Sequence, residues 1–402
     1  MRLKVVVIGH GYTSRLGIIR SLAELDCELT IVVMVSHGFW GRLIRWEGGK
    51  PIDCYSKYVK KVKYSPAQDE EALVKLLLEE CVDPNQKVIL IPDSDFSAVV
   101  IDRNQERLKE HFLFPHINHT PGLVEHWMEK TVQKELAKNV GLNVPDGRVV
   151  VVENQHFVFP ENVHYPCFTK ALATISGGKQ FLKRCDNETE LRQLLDKVSL
   201  KYNTRVLIED YKSIDTEYAV VGFSDGSNVV IPGVIEFVVN SKSHFGIARQ
   251  GKIMPVTGFE ELLGQFREFV RKIGFCGLFD IDFYESHGVM YFGEMNLRFG
   301  GSGYAYMVMG ANLPAMMVNY FKGMDIMDMP CKVEETASYV NERMCMDDFL
   351  HGYINENEFH EIIDSARIHF VFDDADPGPQ RKLKRYLGFQ RLNRIRMKIL
   401  KR

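Results

Sequence analysis

Cysteine pairs at chelating spacing are missing from this chain. Its eight cysteines are scattered and none forms C-x-x-C, so neither a zinc site nor a disulfide framework is indicated and reduced thiols are expected. No apolar run approaches the ~20 residues of a membrane span. Met1–Ser14, MRLKVVVIGHGYTS, has one short apolar run ending in glycine, too short and wrongly flanked for a signal peptide. A cytoplasmic location is therefore expected. Charge of one sign is also missing overall: 50 Lys and Arg against 53 Asp and Glu leave a net −3, with no whole-chain attraction to nucleic acid. The dinucleotide fingerprint G-x-G-x-x-G is incomplete, because Gly9 and Gly11 are followed by Ser14 where the third glycine would stand. No Ser-His-Asp or Cys-His grouping stands out.

What remains is an ordinary globular composition, 45% apolar and 26% charged, in a length suited to about two or three domains. Lys4–Ile8 is a continuous apolar strand, Arg15–Leu25 has helical spacing and Leu29–Val35 is a second strand. This is a Rossmann-like β-turn-α-β opening. A helix over Glu70–Cys81 and a strand over Lys87–Ile91 follow. Asp93, Ser94 and Asp95 stand at that strand's carboxyl end, where open α/β sheets bind ligands. They could accept from a substrate amine or simply cap the next helix. Leu113–Asn118 reads as a strand and Leu123–Val140 as one helix. Strand Tyr165–Lys170 leads to Ser176-Gly177-Gly178-Lys179, whose backbone N–H groups could cradle phosphates. Asn187–Lys201 reads as helix and Arg205–Tyr211 as a strand. Tyr218–Phe223, Asn228–Val239 and His244–Ile253 read as strands of one antiparallel sheet, with Lys242 and Arg249 adding positive charge. Glu260–Ile273 is helical.

The richest stretch is Gly277–Gly303. Phe279, Ile281 and Phe283 alternate with Asp280, Asp282 and Tyr284, as in a strand. Ser286-His287-Gly288 is a turn, and Val289–Met295 returns. Pairing the two strands gathers Asp282, Glu294 and Asn296, oxygen donors that suit Mg²⁺. Arg298, two residues on, would point to the same face and could hold a phosphate in bidentate fashion.

This D-x11-E-x-N-x-R order resembles the C-terminal signature of the ATP-grasp superfamily, most closely its carbamoyl-phosphate synthetase branch. Met128-Glu129-Lys130 with Leu136, Val140, Gly141 and Pro145 resembles the entry to an ATP-grasp unit. The resemblance implies an α/β and α+β multidomain fold: a Rossmann-like domain over 1–120, a small lobe over 121–204, a large lobe over 205–330 and an extension over 331–402. It implies ATP with two Mg²⁺ ions, or Mn²⁺ in their place, held by Asp282, Glu294 and Asn296, with Arg298 at the transferred phosphate. Lys130 and Lys170 would meet phosphates under the Gly177–Lys179 loop. Glu209 and the backbone of Asp210 and Tyr211 would meet adenine, and Glu217 the ribose. Lys242 or Arg249 would hold an acyl phosphate or a substrate carboxylate. The activity implied is ATP-dependent joining of a carboxylate to an amine. Activation of bicarbonate, or nucleotide binding without turnover, are the alternatives. The stretch from Leu90 to Ile117 also loosely resembles D-aspartate ligase-like proteins of cell-envelope synthesis.

Residues 331–376 suggest no chemistry. From Arg381 to Arg402 ten Lys and Arg occur without an acid, and Leu383, Leu387, Leu392, Ile395 and Ile399 recur at near-helical spacing. This tail reads as a peripheral contact with the inner face of a membrane; packing as a capping helix or RNA contact are the other readings. Small-molecule carboxylate and amine substrates are the expected partners, with a homodimer as one candidate assembly and no nucleic acid.

Overall fold

The computed structural model describes residues 2–10, 13–35, 50–172, 181–244 and 246–400, with side chains to residue 388 in the last helix. The chain divides into two compact units. The first comprises Met1–Val124, Tyr218–Asp280 and Asn296–Arg402; the second comprises Glu125–Glu217 and Ile281–Met295. Of the four expected segments, 205–330 is divided between the units and 331–402 belongs wholly to the first.

The first unit opens with β1 (Leu3–Gly9), α1 (Thr13–Ser21), β2 (Cys27–Val35), β3 (Val59–Pro66), α2 (Glu70–Glu80), β4 (Val88–Pro92), α3 (Asp95–Arg103), α4 (Gln105–Leu108) and β5 (Phe112–Leu113). The strands form a parallel sheet of order β3-β2-β1-β4-β5. Both faces are covered. Val5, Val7, Ile89 and Ile91 pack with Ile18 and Ile19 of α1, while Val6, Ile8 and Leu90 pack with Leu73 and Leu77 of α2. That double burial is why these strands read as unbroken apolar runs. The Rossmann-like opening is thus present. Pro115 interrupts the single strand expected over 113–118, leaving β5 and β6 (His116–Ile117).

The helix expected over 123–140 is two, α5 (Leu123–Trp127) and α6 (Lys130–Asn139). Between them Glu129 is extended, with ψ at 122°. The second unit continues with β7 (Gly147–Glu153), β8 (His156–Phe157), β9 (Cys167–Ala171), β10 (Lys183–Cys185), α7 (Glu188–Ser199) and β11 (Thr204–Asp210). Its antiparallel sheet has the order β10-β9-β11-β7-β8. Leu191, Leu195 and Val198 of α7 pack on Val150, Val152, Val206 and Ile208. Asn187 caps that helix by accepting from the Glu190 N–H.

The chain continues with β12 (Thr216–Asp225), β13 (Val229–Val230), β14 (Val234–Asn240), β15 (Ala248–Met254), α8 (Glu260–Ile273), β16 (Phe275–Ser286) and β17 (Val289–Asn296), of which Tyr218–Asp280 lies in the first unit and Ile281–Met295 in the second. The strand expected over 228–239 is broken at Pro232-Gly233, because proline cannot donate to a ladder. The expected 244–253 strand starts only at Ala248. After α9 (Tyr304–Val308) and α10 (Leu313–Phe321) come β18 (Ala337–Val340), α11 (Glu342–His351), α12 (Glu356–Ser365), β19 (Ile368–His369) and α13 (Pro377–Leu400). From β16 the sheet order runs β12-β14-β15-β18-β19. Residues 331–376, silent in the sequence, thus supply two strands to this sheet. Leu383 at the start of α13 is buried with Ile52 and Val340. No described helix is long and apolar enough to cross a membrane.

Candidate functional site

In the second unit the lysine of β9 and the acid of β11 meet because the strands pair antiparallel. Leu207 stands opposite Lys170 and Glu209 opposite Phe168, so Lys170 and Glu209 are diagonal neighbours on one face. The Lys170 ammonium lies 2.8 Å from Glu209. Helix α6 brings two more cations. Lys134, one turn after Lys130, contacts the same Glu209, and Lys130 contacts Glu294. Glu209 is 2% exposed. Burial, then the charges of Lys170, Lys130 and Lys138, push Lys134 down to about 6. Burial, then Lys130, pushes Lys170 down to about 8. Three lysines share two carboxylates, Lys134 with its proton weakly held, and an arriving anion would draw that amine back to its ammonium form. Such crowding of perturbed groups is the mark of a binding site rather than of a solvated face.

The hairpin supplies the other carboxylate. His287 and Gly288, with φ of 50° and 76°, make a two-residue turn between Ser286 and Val289, which has the form of a type I′ hairpin. That register sets Asp282 opposite Gly293. A Cβ built on Gly293 would lie 2.8 Å from the Asp282 carbonyl oxygen and 3.6 Å from its Cβ. Continued regularly, even positions of β17 would turn their backbone polar groups outward. The Met290 carbonyl and the Phe292 N–H do so, both meeting Asn143. Met295 breaks the rule: its N–H and its C=O both face Gln133 of α6. That outward turn implies a one-residue slip of the ladder between Phe292 and Met295, of the kind a β-bulge makes. Such a slip would turn Glu294, which contacts Lys130, toward the face that carries Asp282, with Asn296 two residues further on.

Among the described residues no trio of His, Cys, Asp and Glu is arranged as a metal site. The set here is two carboxylates and an amide, and one or two carboxylates is what Mg²⁺ usually takes from a protein. The donor chemistry therefore fits.

The base-binding expectations fare unevenly. The Asp210 N–H donates to the Asp146 carbonyl at 2.8 Å and the Tyr211 N–H to the Pro166 carbonyl at 3.0 Å. Both N–H groups are thus taken up by neighbouring backbone. The Arg184 guanidinium lies over the Tyr211 ring, 4.5 Å from its centroid. Glu217, the expected ribose acid, is half-buried at the start of β12. The expected loop, Gly177, Gly178 and Lys179, lies outside the described residues.

In the first unit Arg298 donates to Asp95 at 3.0 Å and lies 3.8 Å from Asp280. Ser94 is the N-cap of α3, its hydroxyl accepting from the Ser97 N–H; for this residue the capping alternative is what the structure shows. Asp93 is buried, with the Arg15 guanidinium 3.8 Å from its carboxylate. Burial pushes its carboxyl up to about 6, opposed by Arg15 and reinforced by Asp53. Arg15 donates to Asp53 at 2.5 Å and to the carbonyls of Gly9 and Val32. A Cβ at Gly9 would lie 1.2 Å from Asp93, so that strand end tolerates only glycine. Lys242 is exposed. Arg249 is held by Asp348 at 3.0 Å. Burial would raise the Asp348 carboxyl, but hydrogen bonds from the Ser243 N–H, the Ser241 and Ser243 side chains and Arg249 outweigh it and hold it low.

Sequence reasoning missed Gln133 and Lys134, although Lys134 falls four residues after Lys130, on the same helix face. It also missed Arg15 and Asp53, which no motif marks.

No family model matches the chain. The carbamoyl phosphate synthase large chain of Vibrio cholerae serotype O1 is 24% identical over 188 residues, 46% of this chain and 17% of that protein. That of Clostridium botulinum type B is 25% identical over 169 residues, 41% and 15% of the two lengths. The chain thus spans about a sixth of these curated relatives. Among solved structures, L-amino acid ligase from Bacillus licheniformis aligns at TM-score 0.60 and 18% identity, covering 84% of this chain and 79% of its own. N5-carboxyaminoimidazole synthetase from Staphylococcus aureus, complexed with ADP, aligns at 0.64 and 17%, covering 89% and 86%. The ATP-analogue complex of biotin carboxylase from Campylobacter jejuni aligns at 0.62 and 15%, covering 84% and 75%.

Proposed function

By fold, and by sequence similarity to carbamoyl phosphate synthases, this chain is an ATP-grasp protein, and from that premise we propose that it is an ATP-dependent ligase joining a carboxylate to an amine. The observation that carries the reading is the crowd of Lys130, Lys134 and Lys170 on Glu209 and Glu294, a preformed place for a polyphosphate. Solved neighbours of the same fold hold ADP or an ATP analogue, which supports a nucleotide there.

A carboxylate does not condense with an amine at neutral pH, because oxide would have to leave. In the proposed reaction a substrate carboxylate oxygen attacks the γ-phosphorus, the bond from that phosphorus to the β,γ-bridging oxygen breaks, and ADP departs. The amine nitrogen then attacks the acyl carbon, phosphate leaves and the nitrogen's surplus proton goes to solvent. The work is positioning and charge neutralisation. Lys130 and Lys170 take phosphate charge, and Arg298 takes the transferred group. Mg²⁺, or Mn²⁺, two ions in all, would be held by Asp282, Glu294 and Asn296 and would neutralise phosphate oxygens. Glu209 keeps Lys170 oriented, and the carbonyls of Asp210 and Tyr211, with Glu217, would receive the nucleoside. Asp93 and Asp95 are proposed to meet the amine, and Arg249 or Lys242 the carboxylate.

A screen of amino acids and amines for stimulated ADP release tests the proposal, with hydroxylamine trapping the acyl phosphate as a hydroxamate. Absence of hydroxamate with every acid would count against it. Similarity to carbamoyl phosphate synthases favours a second reading, activation of bicarbonate, which would appear as bicarbonate-dependent ATPase activity. Glu294→Gln is the control and should abolish metal-dependent turnover. A finer proposal, an amine acceptor of the cell envelope, rests on the ten basic residues of 381–402. Co-flotation with vesicles of anionic but not neutral lipid would support it.

A further inference from the structure

Gln133 is 2% exposed and lies in the first turn of α6. Its amide nitrogen donates to the carbonyls of Trp127 and Met295, each at 2.7 Å, and its amide oxygen accepts from the Met295 N–H at 2.8 Å. The side-chain amide therefore does what a peptide group of a neighbouring strand would do. It pairs both polar groups of Met295 on the outer edge of β17, the last strand in its sheet order. These are the groups whose outward turn marks the slipped register. Without Gln133 a regular ladder would direct them back to β16 and carry Glu294 to the opposite face. Asn143 pairs the same edge before the slip, at Met290 and Phe292, and Gln133 pairs it after. Trp127 is the last residue of α5, so the same amide also closes the break between α5 and α6 that sets Lys130 at a helix start.

We infer that Gln133 is a positioning residue: by clamping Met295 it holds the bulge that presents Glu294 to Lys130 and to the cation site. The inference rests on the proposed metal role of Glu294 and deepens it. Gln133 touches neither nucleotide nor metal; it acts through the backbone between two proposed ligands. Residues that orient a metal ligand from behind typically change metal affinity or activity 10- to 100-fold when replaced.

The test is Mn²⁺ binding to the full chain, followed by electron paramagnetic resonance with a non-hydrolysable ATP analogue present, so that turnover is not needed. Gln133→Met removes all three hydrogen bonds at similar volume. Gln133→Glu keeps an acceptor for the Met295 N–H and donates nothing. Both should bind Mn²⁺ at least about 10-fold more weakly than the unaltered chain. Leu191→Ala, a core truncation in the same unit, should lower the melting temperature and leave Mn²⁺ binding unchanged. Binding within twofold in Gln133→Met overturns the inference, as does equal weakening in Leu191→Ala. Failure of both Gln133 variants to fold also overturns it, because the residue is then ordinary core. If the unaltered chain binds no Mn²⁺, the proposed function itself has failed, and that result is separate from the others.

Discussion

At the scale of single residues the decisive quantity is where protons are held. Lys170 carries an ammonium pushed down to about 8 by burial and by Lys130, so it loses charge as the pH rises through that value. KM for ATP should rise between pH 7 and 9, and Lys170→Arg should flatten that rise, because guanidinium stays protonated; steady-state kinetics across this range decide it. Asp93 shifts the other way. Its carboxyl is pushed up to about 6 in the folded chain, against about 3.9 unfolded. The folded state therefore holds the extra proton between these values, and stability from this group falls as pH rises through the window. Asp93→Asn removes the dependence. Relative to the unaltered chain it should gain on the order of 2–3 kcal/mol between pH 4 and pH 7, readable by urea unfolding at the two pH values. An unchanged difference would show that Asp93 is not the strained carboxylate.

Elements show what sequence alone can deliver. The helices over 188–199 and 260–273 and the β1 and β2 strands are legible because apolar period and flanking caps agree. Those over 113–118, 123–140 and 228–239 are not legible as single pieces. Pro115 and Pro232 break two of them, and the break at Glu129 is bridged by the Gln133 amide donating to the Trp127 carbonyl, which no apolar period marks. Distance in sequence also hid β18, α11 and β19. Glu342, at the first turn of α11, is fully buried and accepts from the N–H groups of Val371 and Phe372, each at 2.9 Å. Nothing in its local pattern marks it. Glu342→Ala should cost about 3 kcal/mol, since it leaves the buried Val371 N–H and the half-buried Phe372 N–H without their acceptor; chemical denaturation measures it. The candidate site was legible where chemistry sits in short motifs, as at Glu294-x-Asn296-x-Arg298. It was not where backbone register decides, as at the slip beside Glu294.

At the largest scale, the first unit is tied together by contacts between segments far apart in sequence. Arg20 of α1, 1% exposed, donates to the carbonyls of Phe370 and Val371 and to Asp376, across some 350 residues of chain. Breaking a buried ion pair by removing one partner costs about 3–5 kcal/mol. Arg20→Met should therefore destabilise by that amount, and truncation before Phe370 should abolish cooperative unfolding of the first unit. Calorimetry would show either. The second unit, by contrast, is assembled from 125–217 and a separate visit at 281–295. During synthesis the ribosome delivers Lys130 and Gln133 long before Glu294 and Met295 exist. Until the hairpin emerges, the lysine crowd must wait with one carboxylate instead of two, and no fragment cut from a single uninterrupted stretch of 125–217 can complete it.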